Sequence, residues 1–284
     1  MRIGIVGSGG YIAQYIIQNY KMCDYVETIL CIDKSDEADV YLDLEKADEF
    51  EYDMLDDIDY LIFTAAIPSP DICASDYERC WAINVIGTKY FIEQTIKKRI
   101  KVLFFSSDAV FEGSINRIYD EDSETLAETA YGKMKIAVES AFKDSEWFKV
   151  IRLSYVASAK DSFVSYCRNC IKNDEEAEVY HPFYRNCIVV SDVVKVVEWM
   201  GTHWDEYEPY VLNVAGEELV SRVRIADELN RIFHGKLRYK IVSPSASFFK
   251  NRANITQMKS KYLKKYSILC AESFTEKIQR EIEI

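Results

Sequence analysis

From the N-terminus to about residue 156, short apolar runs alternate with longer stretches of helical periodicity. The runs at 2–6, 28–32, 59–64, 101–105 and 148–153 are nearly continuous in apolar residues, as befits strands of a parallel sheet covered on both faces. The intervening 77–98 and 130–142 have helical spacing and the length of crossover connections. This alternation predicts a doubly wound α/β fold with ligands at the carboxyl ends of its strands. Beyond residue 156 the pattern is less regular. It predicts a helix over 159–171, a strand over 186–190, a helix over 191–200 capped by Ser191, and a strand over 210–214.

The first run leads into Gly7-Ser8-Gly9-Gly10, and apolar positions Tyr11, Ile12, Tyr15 and Ile16 then recur at helical spacing. Read on spacing, the turn is Gly7-x-x-Gly10-x-x-Ala13, a variant of the dinucleotide-binding fingerprint. Backbone without side chains turns sharply and admits a pyrophosphate, whose charge the exposed N–H groups and the helix dipole stabilise. Asp33 closes the second run, where a carboxylate accepts the adenosine ribose hydroxyls and repels a 2′-phosphate. NAD is therefore the expected cofactor, while Lys34 beside the acid keeps NADP open. Asp43 and the pair Ala65-Ala66 stand at further strand ends. They are candidates for the same groove, against the plainer readings of a solvated acid and of packing residues.

The 284 residues suffice for one large or two modest domains, and 49% hydrophobic with 29% charged residues is ordinary globular composition. No apolar run reaches membrane-spanning length, and an N-terminus that enters a core strand leaves no room for a signal peptide. The expected setting is the cytoplasm, without membrane contact, and the eight cysteines then read as reduced thiols. A net charge of −12 argues against a nucleic-acid partner and makes individual arginines informative for an anionic substrate. Cys167 and Cys170 have metal-ligand spacing and Cys187 offers a third thiol. Four convergent ligands are not in view, so no metal is expected. The Asp174-Glu175-Glu176 run reads as a solvated loop.

The most specific chemistry lies at Tyr131-Gly132-Lys133-Met134-Lys135, preceded by Ser106-Ser107-Asp108 at the end of a strand. Tyr131 and Lys135, four apart, share one helix face, and an ammonium beside a phenol lowers its pKa towards what proton transfer to a carbonyl or alcohol needs. Ser107 could donate a hydrogen bond to the same oxygen. The competing reading is a packing aromatic in a chain of 20 tyrosines beside a solvated lysine.

Taken together, the glycine turn, Asp33, Asp43, Ala65-Ala66, Asn84-Val85-x-Gly87-Thr88, Ser107 and Tyr131-x-x-x-Lys135 resemble the extended short-chain dehydrogenase/reductase superfamily of nucleotide-sugar epimerases, dehydratases and reductases. The resemblance covers nearly the whole chain. It implies a Rossmann domain over 1–155 plus 186–214 and a smaller α/β substrate-binding domain over 156–185 plus 215–284. It implies Tyr131 as catalytic acid/base, Lys135 on the nicotinamide ribose and Ser107 on the substrate oxygen. The cofactor would be lined by Gly7, Gly10, Tyr11, Ile12, Asp33, Asp43, Leu44, Ala65 and Ala66.

Within the superfamily, the dehydratases carry a glutamate where this chain has Ala109, which disfavours dehydration. Phe104-Phe105-Ser106-Ser107-Asp108-x-Val110-Phe111 and Ile151-Arg152-Leu153-Ser154-Tyr155-Val156 look most like dTDP-4-dehydrorhamnose reductase relatives, with Asp108 and Tyr155 on the sugar side. The segment Arg185-Asn186-Cys187-Ile188-Val189-Val190-Ser191-Asp192-Val193 is similar to one whose arginine contacts the substrate pyrophosphate. Arg252 occupies a comparable late position, although a surface arginine accounts for Arg185 as simply and for Arg252 more simply. The implied partner is a nucleotide-diphosphate sugar in polysaccharide biosynthesis. The implied assembly is a homodimer through the 77–98 and 130–142 helices. A 4-keto-sugar reductase is the first expectation and a 4-epimerase the nearest rival. A nucleotide-binding regulatory protein that lost the chemistry is a third reading, because one fold hosts many functions.

Overall fold

The computed structural model describes residues 1–282, and the chain divides into two compact units. The first comprises Met1–Val110, Thr125–Arg152 and Val197–Leu212; the second comprises Phe111–Glu124, Leu153–Val196 and the chain from Asn213 on. The strands in chain order are β1 (Arg2–Val6), β2 (Thr28–Asp33), β3 (Val40–Tyr41), β4 (Tyr60–Phe63), β5 (Lys101–Ser107), β6 (Ile118–Tyr119), β7 (Phe148–Leu153) and β8 (Val156–Ala157). They continue as β9 (Ala177–Tyr180), β10 (Tyr184–Arg185), β11 (Ile188–Val189), β12 (Val211–Val214), β13 (Val220–Ser221), β14 (Tyr239–Val242) and β15 (Ile255–Met258). The helices are α1 (Tyr11–Tyr20), α2 (Pro70–Ser75), α3 (Tyr77–Trp81), α4 (Thr88–Lys97), α5 (Ala130–Phe142), α6 (Ser162–Asn173), α7 (Val190–Thr202), α8 (Arg222–Ile232) and α9 (Phe274–Ile282).

The apolar runs become a parallel seven-stranded sheet in the order β12-β7-β5-β4-β1-β2-β3. Strand order reverses between β1 and β4, so their carboxyl ends, at Gly7 and Thr64, flank the crevice where open sheets take ligands. Because β4 and the middle of β5 are buried on both faces, a continuous apolar sequence is what they require. Phe91, Phe63, Phe104 and Phe148 follow one another across this core with neighbouring ring centroids 5.9–6.0 Å apart, the first two contacts tilted and the last stacked. The second unit packs its own core from Phe163, Val164, Ile225, Leu229 and Ile278. Its strands form a four-stranded sheet, β13-β10-β15-β6, and two pairs, β11-β8 and β14-β9.

Several expectations are corrected. The 77–98 stretch is helical, but Ala82–Gly87 is wound as a π-helix between α3 and α4. The wider turn accompanies two local demands. Asn84 is buried and bonds the Ile67 backbone through both ends of its amide, and a side chain at Gly87 would collide with the Leu44 carbonyl, 1.8 Å from an added Cβ. Helix α6 starts at Ser162 rather than 159, because Asp161 takes the N-cap and accepts from the Phe163 N–H. Ser191 is not a cap. Helix α7 begins at Val190 directly out of β11, and the Ser191 Oγ is buried without a hydrogen-bond partner. The strand expected over 186–190 shrinks to Ile188–Val189 and pairs with β8. Residues 111–124 and 186–196, expected in the nucleotide domain, lie in the second unit, and the last two residues of the expected 215–284 segment lie outside the described residues.

Candidate active site

The turn after β1 has the conformation that its glycines permit. Gly7 has φ 82°, and a Cβ there would sit 2.7 Å from the Ala65 N, so the loop after β4 leaves no room for a side chain. Gly10 precedes α1 without any side-chain cap on the helix's first N–H groups, an arrangement that suits an anion. Gly9, which the fingerprint spacing passes over, donates its N–H to Asp33 Oδ2 at 2.8 Å, while Asp33 Oδ1 accepts from the Lys34 N–H at 2.6 Å. The acid and the turn are thus tied together, and the carboxylate keeps lone pairs for ribose hydroxyls. Tyr11 is exposed on the first turn, Ile12 is half-buried, and Ala65 and Ala66 follow β4 beside the turn. Asp43 caps the turn that begins at the buried Leu44 and pairs with Lys34 Nζ at 2.6 Å, which holds its carboxyl below the usual range. A side-chain-free cradle, an uncapped helix start and an acid fixed at the end of β2 fit a dinucleotide.

Tyr131 and Lys135 lie in the first two turns of α5, whose N-cap is Thr129. Gly132 brings this helix against the end of β5, since a Cβ on it would lie 2.0 Å from the Ala109 carbonyl oxygen. Tyr131 is thereby set beside the Ser107-Asp108-Ala109 segment. Ser107 Oγ donates to Asp108 Oδ1 at 3.1 Å and accepts from the Ala109 N–H at 3.2 Å. Lys135 is buried and donates to the Phe105 carbonyl at 2.7 Å, its Nζ 5.7 Å from the centre of the Tyr131 ring. Burial pushes the Lys135 ammonium down to about 8, against the opposing pull of Glu139.

The expectation that Lys135 depresses the Tyr131 pKa is not met in the protein alone. Burial raises it, and the neighbouring Cys73 and Asp108 add to the rise, so Tyr131 holds its proton. Cys73, on α2, was invisible to spacing arguments because only the fold brings it to Tyr131. Gly132→Ala is expected to cost about 1–3 kcal/mol through overpacking against backbone, read as a lowered unfolding midpoint, and to slow turnover by displacing Tyr131.

The second unit gathers three predicted residues around a group of aromatic rings. Arg185 lies 4.5 Å from the Phe183 ring centre and donates to the Tyr184 and Ala253 carbonyls. Arg252 lies 4.4 Å from the Phe248 ring centre and donates to the Phe248 carbonyl. Tyr155 donates its hydroxyl to Asp161 Oδ1 at 2.5 Å, and burial beside that acid raises its pKa well above the ordinary phenol value. Arg222, which no motif marked, stands among the same rings. Cys167, Cys170 and Cys187 are buried thiols of this unit's core, with burial pushing Cys167 up to about 12. Among the described residues no group of three or more His, Cys, Asp or Glu could hold a metal ion, and no helix is long and apolar enough to cross a membrane.

Comparison with known proteins agrees with the fold. A dTDP-4-dehydrorhamnose reductase from Clostridium acetobutylicum superposes with a TM-score of 0.82 at 21% identity, over 100% of this chain and 99% of that one. A dTDP-4-dehydrorhamnose reductase from Bacillus anthracis in complex with NADP gives 0.83 at 19%, over 99% and 98%. These likenesses establish the fold. Among curated sequences, a probable low-salt glycan biosynthesis reductase of Haloferax volcanii, Agl14, is 30% identical over 105 residues, 37% of this chain and 35% of that protein. The chain thus matches about a third of the length of that relative. The family model described as the RmlD substrate binding domain matches residues 1–283, and the chain belongs to that family.

Proposed function

We propose that the protein is an NAD(P)-dependent oxidoreductase acting on a nucleotide-diphosphate sugar, and that its reaction is reduction of a 4-keto sugar. The observation that carries this reading is Tyr131, packed with Lys135 against the Ser107 end of β5 in the unit that also holds the glycine turn and Asp33. Family membership and the names of the relatives support it. A bound nicotinamide supplies the hydride. Ser107 orients the substrate oxygen, and Tyr131 gives it the matching proton, for which a phenol held protonated by burial is the right starting state. Lys135, mostly charged at neutral pH, faces the phenol and stabilises the phenolate left behind.

In this reading the first unit binds the cofactor through Gly7, Gly10, Tyr11, Ile12, Asp33, Asp43, Leu44, Ala65 and Ala66. Asp108 and Tyr155 serve the sugar, and Arg185 and Arg252 serve the diphosphate. Asp33 favours NAD; Lys34, already paired with Asp43, is the group that a 2′-phosphate would recruit. Large apolar side chains exposed along 77–97, Tyr77, Ile86 and Tyr90, support a homodimer through this face and α5. Eight free thiols suit the cytoplasm.

The test is turnover with NADH and NADPH against dTDP- and UDP-linked 4-keto-6-deoxy sugars. Stoichiometric loss of reduced nicotinamide is the expected result. Conversion of a nucleotide hexose to its C4 epimer without net cofactor loss would replace the reductase by an epimerase. Cofactor binding with neither reaction would point to a binding protein.

A further inference from the structure

Arg222 opens α8 and differs from every other arginine of the second unit. Its guanidinium carbon lies 5.1 Å from the ring centre of Phe163, 5.0 Å from that of Phe183 and 5.9 Å from those of Tyr180 and Phe248. Among the described residues it makes no side-chain hydrogen bond or ion pair, and its Nε is buried without a partner. The faces of these rings accept no conventional hydrogen bond, so they leave the Nε–H unsatisfied. Arg185 and Arg252, by contrast, already donate to backbone carbonyls. The acid whose charge Arg222 feels, Asp161, is engaged at Oδ1 by the Tyr155 hydroxyl and the Phe163 N–H, while its Oδ2 is buried without a hydrogen-bond partner.

Arg222 lines a small, partly open recess together with Tyr155, Phe183, Arg185, Cys187 and Val220. Arg222 is half-buried, its one buried donor, Nε, lacks a partner, and stacking on rings holds the guanidinium in place in advance of one. In a chain of net charge −12, Arg222 forms no ion pair among the described residues and meets a carboxylate, that of Asp161, only through its field.

We propose that Arg222 binds an oxyanion of the substrate and is a specificity-determining residue of this recess. The oxyanion is either a diphosphate oxygen or the carboxylate of an acidic sugar. The proposal rests on the nucleotide-diphosphate sugar reading above.

The experiment is calorimetric titration of the full chain, wild type, Arg222→Met and Arg222→Lys, with dTDP, UDP, UDP-glucose and UDP-glucuronic acid. Circular dichroism and NADH affinity serve as controls for folding. A loss of roughly tenfold or more in dTDP or UDP affinity in Arg222→Met, partly restored in Arg222→Lys, assigns the diphosphate. Unchanged affinity for the diphosphates with a loss confined to UDP-glucuronic acid assigns a sugar carboxylate. Equal binding of all four by wild type and both variants overturns the role of Arg222 and leaves the enzyme reading intact. A wild type that binds NADH and none of the four overturns the nucleotide-sugar reading, and this inference with it. Should Arg222→Met fail to fold, Arg222→Lys carries the test, because shortening the fork still removes bidentate contact while keeping the charge.

Discussion

Tyr131→Phe is expected to lower kcat for ketone reduction by roughly 10²–10⁴-fold while leaving NADH affinity within a factor of about two. The substitution keeps the ring that packs with Cys73, Cys80 and Met134 and removes only the hydroxyl, so the helix and its glycine contact stay in place. Lys135 keeps its hydrogen bond to the Phe105 carbonyl, which does not involve Tyr131. Steady-state rates with nicotinamide absorbance, alongside cofactor binding by fluorescence, separate the two quantities. A fall below tenfold would mean that another group delivers the proton. The raised pKa also sets the pH dependence. Because the reducing direction needs the protonated phenol, and burial keeps that form above the ordinary tyrosine range, Tyr131 should impose no loss of rate through neutral pH. It should impose one only in the alkaline limb.

The second large effect is on stability. Glu139→Ala is expected to cost about 3–5 kcal/mol, because it strands the buried Arg152 without its carboxylate. Glu139 and Arg152 are 3% and 2% exposed, and the guanidinium donates to both carboxylate oxygens, the shortest contact being 2.6 Å. Ser106 adds a 2.5 Å hydrogen bond to the same carboxylate. One residue of α5 therefore bonds side chains of both β5 and β7, and the helix that carries Tyr131 is fastened to the strand that carries Ser107. Urea unfolding followed by circular dichroism would measure the loss. Glu139→Leu combined with Arg152→Met should recover most of it, since no charge is then left unpaired. If the double variant is as unstable as the single one, the pair contributes through shape rather than charge.

What the sequence revealed follows physical scale. Strand β7 and helix α5 begin and end where the apolar pattern and turn residues place them, because each is governed by neighbours within a few positions. The Gly7 turn and its partner Asp33 were legible for a similar reason: φ above zero and a carboxylate at a strand end leave marks in residue type. Ser191 misled because a serine ahead of an apolar run looks like a cap whether or not the preceding strand already supplies the helix entry. The π-turn at Ala82–Gly87 was hidden, since the demand for it comes from Ile67 and Leu44, distant in the chain. Arg222 was hidden for the same cause. Its rings are drawn from α6, β9, the residue before β10 and the segment before β15, and no local spacing records that they meet. The rise of the Tyr131 pKa, opposite to the expected fall, comes from burial and from the neighbouring Cys73 and Asp108, a surrounding that depends on the whole fold and that helical spacing to Lys135 does not record.

Neither unit is a continuous length of chain. During synthesis on the ribosome, β7 is made long before Val211–Val214, the strand that covers its outer flank, so that flank waits unpaired while the intervening residues are translated. The nascent protein thus carries this open sheet edge while residues 154–210 are made. No single cut in the gene would release either half as a finished piece.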